Sequence, residues 1–136
     1  MAFVLDASIA LAWCFNDEAT SETAALLDML ATEMAFVPEI WPIELGNILI
    51  GAQKRKRITP AKIAEFFALL DVITIHIDKE TAHRAFHEIF SLAQSESLTT
   101  YDSAYLELAM RLGLPLATKD TALRDAATRL GVRVLG

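Results

Sequence analysis

Apolar and polar positions alternate along this chain in short blocks. "AFVLD" at residues 2–6 reads as a buried strand that ends on a carboxylate. "SIALAWCF" predicts a short helix, and "SETAALLDMLA" a second one with Ser21 as its cap. "AFVPE" predicts a strand stopped by Pro38. Residues 40–56 carry a long helical pattern that ends in the basic run "KRKR". Thr59 as N-cap and Pro60 at the first helical position open the next helix. "VITIHI" is β-branched and strand-like. "KETAHRAFHEIFSLAQ" reads as one helix, and "LTTYDSAYLELAMRLG" as another closed by Gly113. "PLATKD", "TALRDAATRLG" and "VRVLG" complete the pattern as strand, helix and strand. This alternation predicts an α/β fold: one domain over residues 1–136, with a mostly parallel sheet and helices on both faces. Ligands of such sheets bind beyond the carboxyl ends of the strands, where Asp6 and Asp120 fall.

Composition narrows the class. The chain has 136 residues, of which 54% are hydrophobic, enough for one real core. A net charge of −6 excludes a generally basic nucleic-acid coat, but not an acidic enzyme that handles nucleic acid through a metal. One cysteine, Cys14, excludes an intramolecular disulfide framework. The start lacks the basic and uninterrupted apolar regions of a signal peptide, and no apolar run reaches the roughly 18–20 residues of a membrane span. A cytoplasmic location is expected. A mean hydropathy of +0.36 suggests that a partner covers some apolar surface.

Four acids stand apart from the rest, each with a structural reading beside a chemical one. Asp6 ends a strand and precedes a helix, so it reads as an N-cap or as a ligand. Glu44 has Ile40, Trp41 and Ile48 as its helical neighbours. It reads either as a snorkelling side chain, or one bonded to Asn47, or as a buried functional carboxylate. Asp102 faces the apolar side of its helix beside Tyr105 and Leu106, and Thr99 as N-cap would make it a capping-box acid. Glu107 and Arg111 form the expected pair on a more polar face of that helix. Asp120 precedes a helix and again reads as an N-cap, while Asp125 and Arg129 read as an ordinary surface pair. Only Asp120 has a cation beside it, Lys119. If folding gathers the four, their repulsion calls for a hard divalent ion such as Mg²⁺ or Mn²⁺.

"VLDASIALAW", "VPEIWPIELGNIL", "TTYDSAYLELA" and "LATKDTALRDAA" occur in that order over nearly the whole chain. In this the sequence resembles PIN-domain proteins, and within them the VapC-type toxins of bacterial toxin–antitoxin pairs. The resemblance implies a parallel α/β/α sandwich and a Mg²⁺- or Mn²⁺-dependent ribonuclease. It places the acidic quartet on Asp6, Glu44, Asp102 and Asp120. Asp6 and Asp102 would bind the metal directly; Glu44 and Asp120 would act through water, place a second ion or orient the attacking water. Ser8 and Thr118 match the small hydroxyl positions around such a site, with Asn47 in a supporting place. The resemblance also implies a cognate antitoxin, an RNA substrate, a homodimer or larger complex with antitoxin, and products with 5′-phosphate and 3′-hydroxyl ends.

Lys54, Arg55, Lys56 and Arg57 read as a solvated helix end or as a phosphate-contacting patch, to which Lys119 would add. His83 and His87, four apart on one predicted helix, have no third ligand and read as a surface pair. Cys14 has no catalytic signature around it. "ALAWCF" and "EFFALL" read as core or as an interface for a second copy or an antitoxin. Two alternatives stand beside the toxin: an RNA-processing nuclease of the same fold, and a receiver-like phosphoacceptor switch in which Asp78 is offered by "VITIHID".

Overall fold

Phe3, Val4 and Leu5 have no exposed surface at all, and they form the central strand of the sheet. The computed structural model describes residues 2–136. The elements run β1 (Phe3–Leu5), α1 (Ala7–Cys14), α2 (Ser21–Met29), β2 (Ala35–Pro38), α3 (Trp41–Lys54), α4 (Pro60–Val72), β3 (Ile75–Asp78), α5 (Thr81–Arg84), α6 (Glu88–Glu96), α7 (Thr100–Leu112), β4 (Leu116–Ala117), α8 (Thr121–Arg129) and β5 (Val134–Leu135). All strand pairs are parallel and the sheet order is β3-β2-β1-β4-β5. The predicted parallel α/β architecture is therefore the observed one. The strand order reverses between β1 and β4, the kind of switch point at which a crevice opens beyond the strand ends.

Helix starts follow their caps. The Thr59 hydroxyl accepts from the Lys62 amide, and Thr99 from the Asp102 amide. The second helix starts one residue earlier in its cap than expected: Thr20, not Ser21, forms a reciprocal box with Thr23. Gly113, at φ +66°, ends α7 in the left-handed conformation that a β-carbon disfavours.

Several local expectations give way to tertiary packing. "KETAHRAFHEIFSLAQ" is two helices, broken around His87, because its ends answer to different neighbours. Ile89 and Ala93 bury against α7, whereas the Thr81 hydroxyl accepts from the Glu39 amide beyond β2. His83 and His87 therefore do not share a helix face. Arg129 pairs with Glu96 of α6 at 3.1 Å, in place of Asp125. "ALAWCF" is core: Leu11, Cys14 and Phe15 are all buried, as is Phe66, while Phe67 is exposed.

Glu107 is buried, not on a polar face. Arg111 meets it at 3.0 Å and reaches Asp78, at the end of β3, at 2.8 Å. This cluster ties α7 to the sheet edge. Removing one partner of a largely buried pair strands the others in low dielectric. Arg111→Ala is expected to lower the unfolding free energy by about 2 kcal/mol, measured by urea denaturation. Arg57→Ala, whose acidic partners Asp17 and Glu18 are more exposed, should cost less.

Candidate active site

The chain leaves β1 at Asp6, at the switch point, and starts α1 immediately. Asp6 occupies the N-cap position, yet its side chain caps nothing. It turns instead towards β4. The Ser8 and Thr118 hydroxyls both donate to its Oδ2 at 2.7 Å. Neither donates to Oδ1. The same two hydroxyls accept amides from the turn after β4: Lys119 N–H donates to Ser8 Oγ at 2.9 Å, and Asp120 N–H to Thr118 Oγ1 at 3.1 Å. Two small side chains thus staple the 118–120 turn onto Asp6.

The other three acids sit at helix starts. Asp120 caps α8 through Oδ2, which accepts from Leu123 N–H at 2.8 Å. Asp102 lies in the first turn of α7, half-buried, with the Thr99 hydroxyl beside it. Glu44 lies in the first turn of α3, half-buried, and bonds neither solvent-side Asn47 nor any cation. Its Oε1 accepts from the Tyr105 hydroxyl at 2.5 Å. Asn47 instead lines a recess of about 380 Å³ with Ile40, Ile43, Glu44, Ile48 and Tyr101.

These carboxylates act on one another. Burial pushes Asp6 above its ordinary value, and the Asp120 charge adds to the push against the hydroxyls that lower it. Burial raises Glu44, with Asp6 and Asp102 contributing in the same direction. Asp102 is pushed up to about 6 by burial first, then by Asp120 and Asp6. Among the described residues, no Lys, Arg or His pairs with any of the four. Lys119 points its ammonium at the Glu18 carbonyl, 2.6 Å away. The donor set is therefore all-oxygen, anionic and uncompensated, which fits a hard divalent cation. It is not a closed shell: among the described residues, no three His, Cys, Asp or Glu side chains stand close enough to chelate an ion as they are.

A sequence profile of the PIN domain matches residues 3–128. The chain belongs to the PIN-domain family. Solved structures similar to this PIN domain include PAE2754 from Pyrobaculum aerophilum, at 21% identity and TM-score 0.71, with 98% of this chain and 92% of that one covered. VapBC2 from Rickettsia felis, bound to a DNA fragment from its promoter, matches at 15% identity and TM-score 0.62, covering 98% and 97%. FitAcB from Neisseria gonorrhoeae matches at 19% identity and TM-score 0.53, covering 100% and 97%. At these identities the likeness is one of fold. Direct comparison with curated protein sequences finds no significant match.

The other residues singled out in the sequence lie apart from the PIN-domain acids. Lys54, Arg55 and Lys56 are exposed at the far end of α3, ten residues from Glu44 and so roughly 15 Å along the axis at about 1.5 Å per residue. Arg57 is engaged with Glu18 at 2.7 Å and lies 4.0 Å from the Phe15 ring centre. Burial pushes the Cys14 thiol up, away from nucleophilic use. Asp78 ends the edge strand β3 and is held by Arg111, which keeps its carboxyl below the usual range; that suits a structural ion pair and not a phosphoacceptor. The sequence reading missed Tyr105 as more than a core neighbour of Asp102. Its signal was a tyrosine, with a hydroxyl to satisfy, in an otherwise apolar stripe.

Proposed function

We propose that this PIN domain is a divalent-metal-dependent endoribonuclease and the toxin of a VapBC-type pair. The observation that carries the reading is mutual: Asp6, Glu44 and Asp102 are each raised by burial and by one another or by Asp120, with no cation of the chain beside them. A site in that state gains most from a bound cation. Asp6 and Asp102 would hold it directly, with Glu44 and Asp120 contributing through water. A divalent ion there supplies positive charge for a phosphate and acidifies the attacking water. The chain's own part is positional. Ser8 and Thr118 fix Asp6 Oδ2 and leave Oδ1 free of hydroxyl donors. The Leu123 amide fixes Asp120. Once neutralised, the pocket accepts an RNA phosphodiester that the bare carboxylates would repel.

The toxin role rests on the VapC-like motifs and on the fold shared with VapBC2 and FitAcB. Exposed Ile43, Ile50, Val72 and Phe86 offer surface for an antitoxin or a second copy. Among the described residues, no helix is long and apolar enough to cross a membrane. Structured RNA incubated with the protein and Mn²⁺ is expected to be cut to 5′-phosphate and 3′-hydroxyl ends, and EDTA to stop cleavage. Intact RNA under all divalent conditions would overturn the nuclease reading. Growth arrest on expression, relieved by co-expressing an antitoxin, separates a toxin from an RNA-processing enzyme.

A further inference from the structure

Glu44 and Asp102 lie on different helices, α3 and α7, and one side chain connects them. Tyr105 is fully buried on α7, one turn beyond Asp102. Its hydroxyl crosses to α3 and donates to Glu44 Oε1 at 2.5 Å. Among the described residues, no other hydrogen bond reaches the Glu44 carboxylate, so Oε2 is its one oxygen without a donor. A glutamate has three side-chain torsions and would otherwise sample many rotamers. The tyrosine ring cannot follow it, because it is packed in the core.

We propose that Tyr105 is a positioning residue of the carboxylate site, holding Glu44 Oε1 and leaving Oε2 as the oxygen that would serve a cation. This rests on the metal-site reading above. The tether also makes the placement of Glu44 depend on the helix that carries Asp102. Groups that orient a metal-binding carboxylate change affinity by about 10–100-fold when lost.

Mn²⁺ titrations followed by electron paramagnetic resonance test the role without reference to cleavage. Tyr105→Phe keeps the ring and deletes only the hydroxyl. It is expected to weaken Mn²⁺ binding roughly tenfold, with the thermal midpoint of the metal-free protein little changed. Glu44→Gln alone should also weaken binding, and adding Tyr105→Phe to it should cost nothing further. If Tyr105→Phe binds Mn²⁺ as the wild type does, the positioning role is wrong while the metal site stands. If Tyr105→Phe weakens binding equally in the Glu44→Gln background, the hydroxyl acts through general packing and the proposal is again overturned. If the wild type binds no Mn²⁺, the metal-site reading itself fails and takes this one with it.

Discussion

Asp6→Asn is expected to abolish RNA cleavage, by about 10³-fold or more, while the protein stays folded. Asparagine keeps the shape of the side chain, and its amide oxygen still accepts from Ser8 and Thr118. What it removes is the charge that would hold the proposed cation. The change also relieves a cost of the metal-free protein, because Asp6 is buried with no cation beside it. The thermal midpoint in EDTA should therefore equal or exceed that of the wild type. Loss of activity together with a preserved or raised midpoint identifies a functional charge. Undiminished cleavage by Asp6→Asn would remove Asp6 from the site, and a collapsed midpoint would make it structural.

The second large effect is on pH dependence. Asp102 titrates near 6 in the folded chain, against an ordinary value of 3.8. Between those values the folded state holds a proton that the unfolded state has released. The Asp102 contribution to stability in EDTA is therefore fully present below about 3.8 and is lost as pH rises through about 6. Asp6 and Glu44 are shifted in the same direction and add to the fall. Asp78 is shifted the other way by Arg111, so its contribution is lost as pH falls from the ordinary value of 3.8 through its lower folded-state value, below this window. Mn²⁺ held by the ionised carboxylates would reverse the slope, raising the midpoint more at pH about 7.5 than at pH about 5. Thermal melts in EDTA and in Mn²⁺ across that range check both signs. A flat midpoint in EDTA, or an EDTA slope that Mn²⁺ leaves unchanged, would contradict this picture.

Fold class was legible because apolar runs alternate with capped, amphipathic helices; Thr59, Thr99 and Gly113 mark helix ends by local chemistry alone. What failed were boundaries set by distant neighbours. Nothing local announces that residues 85–87 interrupt a helix, because the cause is the packing of α6 on α7. Arg129 likewise finds Glu96 across space and not Asp125 along its own helix. The acids were legible one at a time as odd residues in apolar surroundings. That they act on one another follows from the strand order, which sets β1 beside β4 and cannot be read from periodicity. Asp6 shows the limit most clearly: as a residue before a helix it looks like a cap, and the Thr118 hydroxyl, 112 residues away, joins Ser8 in turning it elsewhere.

Crystals soaked in MnCl₂ and measured at the manganese absorption edge give the most direct test. An anomalous peak bonded to carboxylate oxygens of both Asp6 and Asp102, at about 2.0–2.2 Å, is the predicted result. Density lacking any such peak between these two side chains, in crystals where manganese binds elsewhere on the surface, would contradict it.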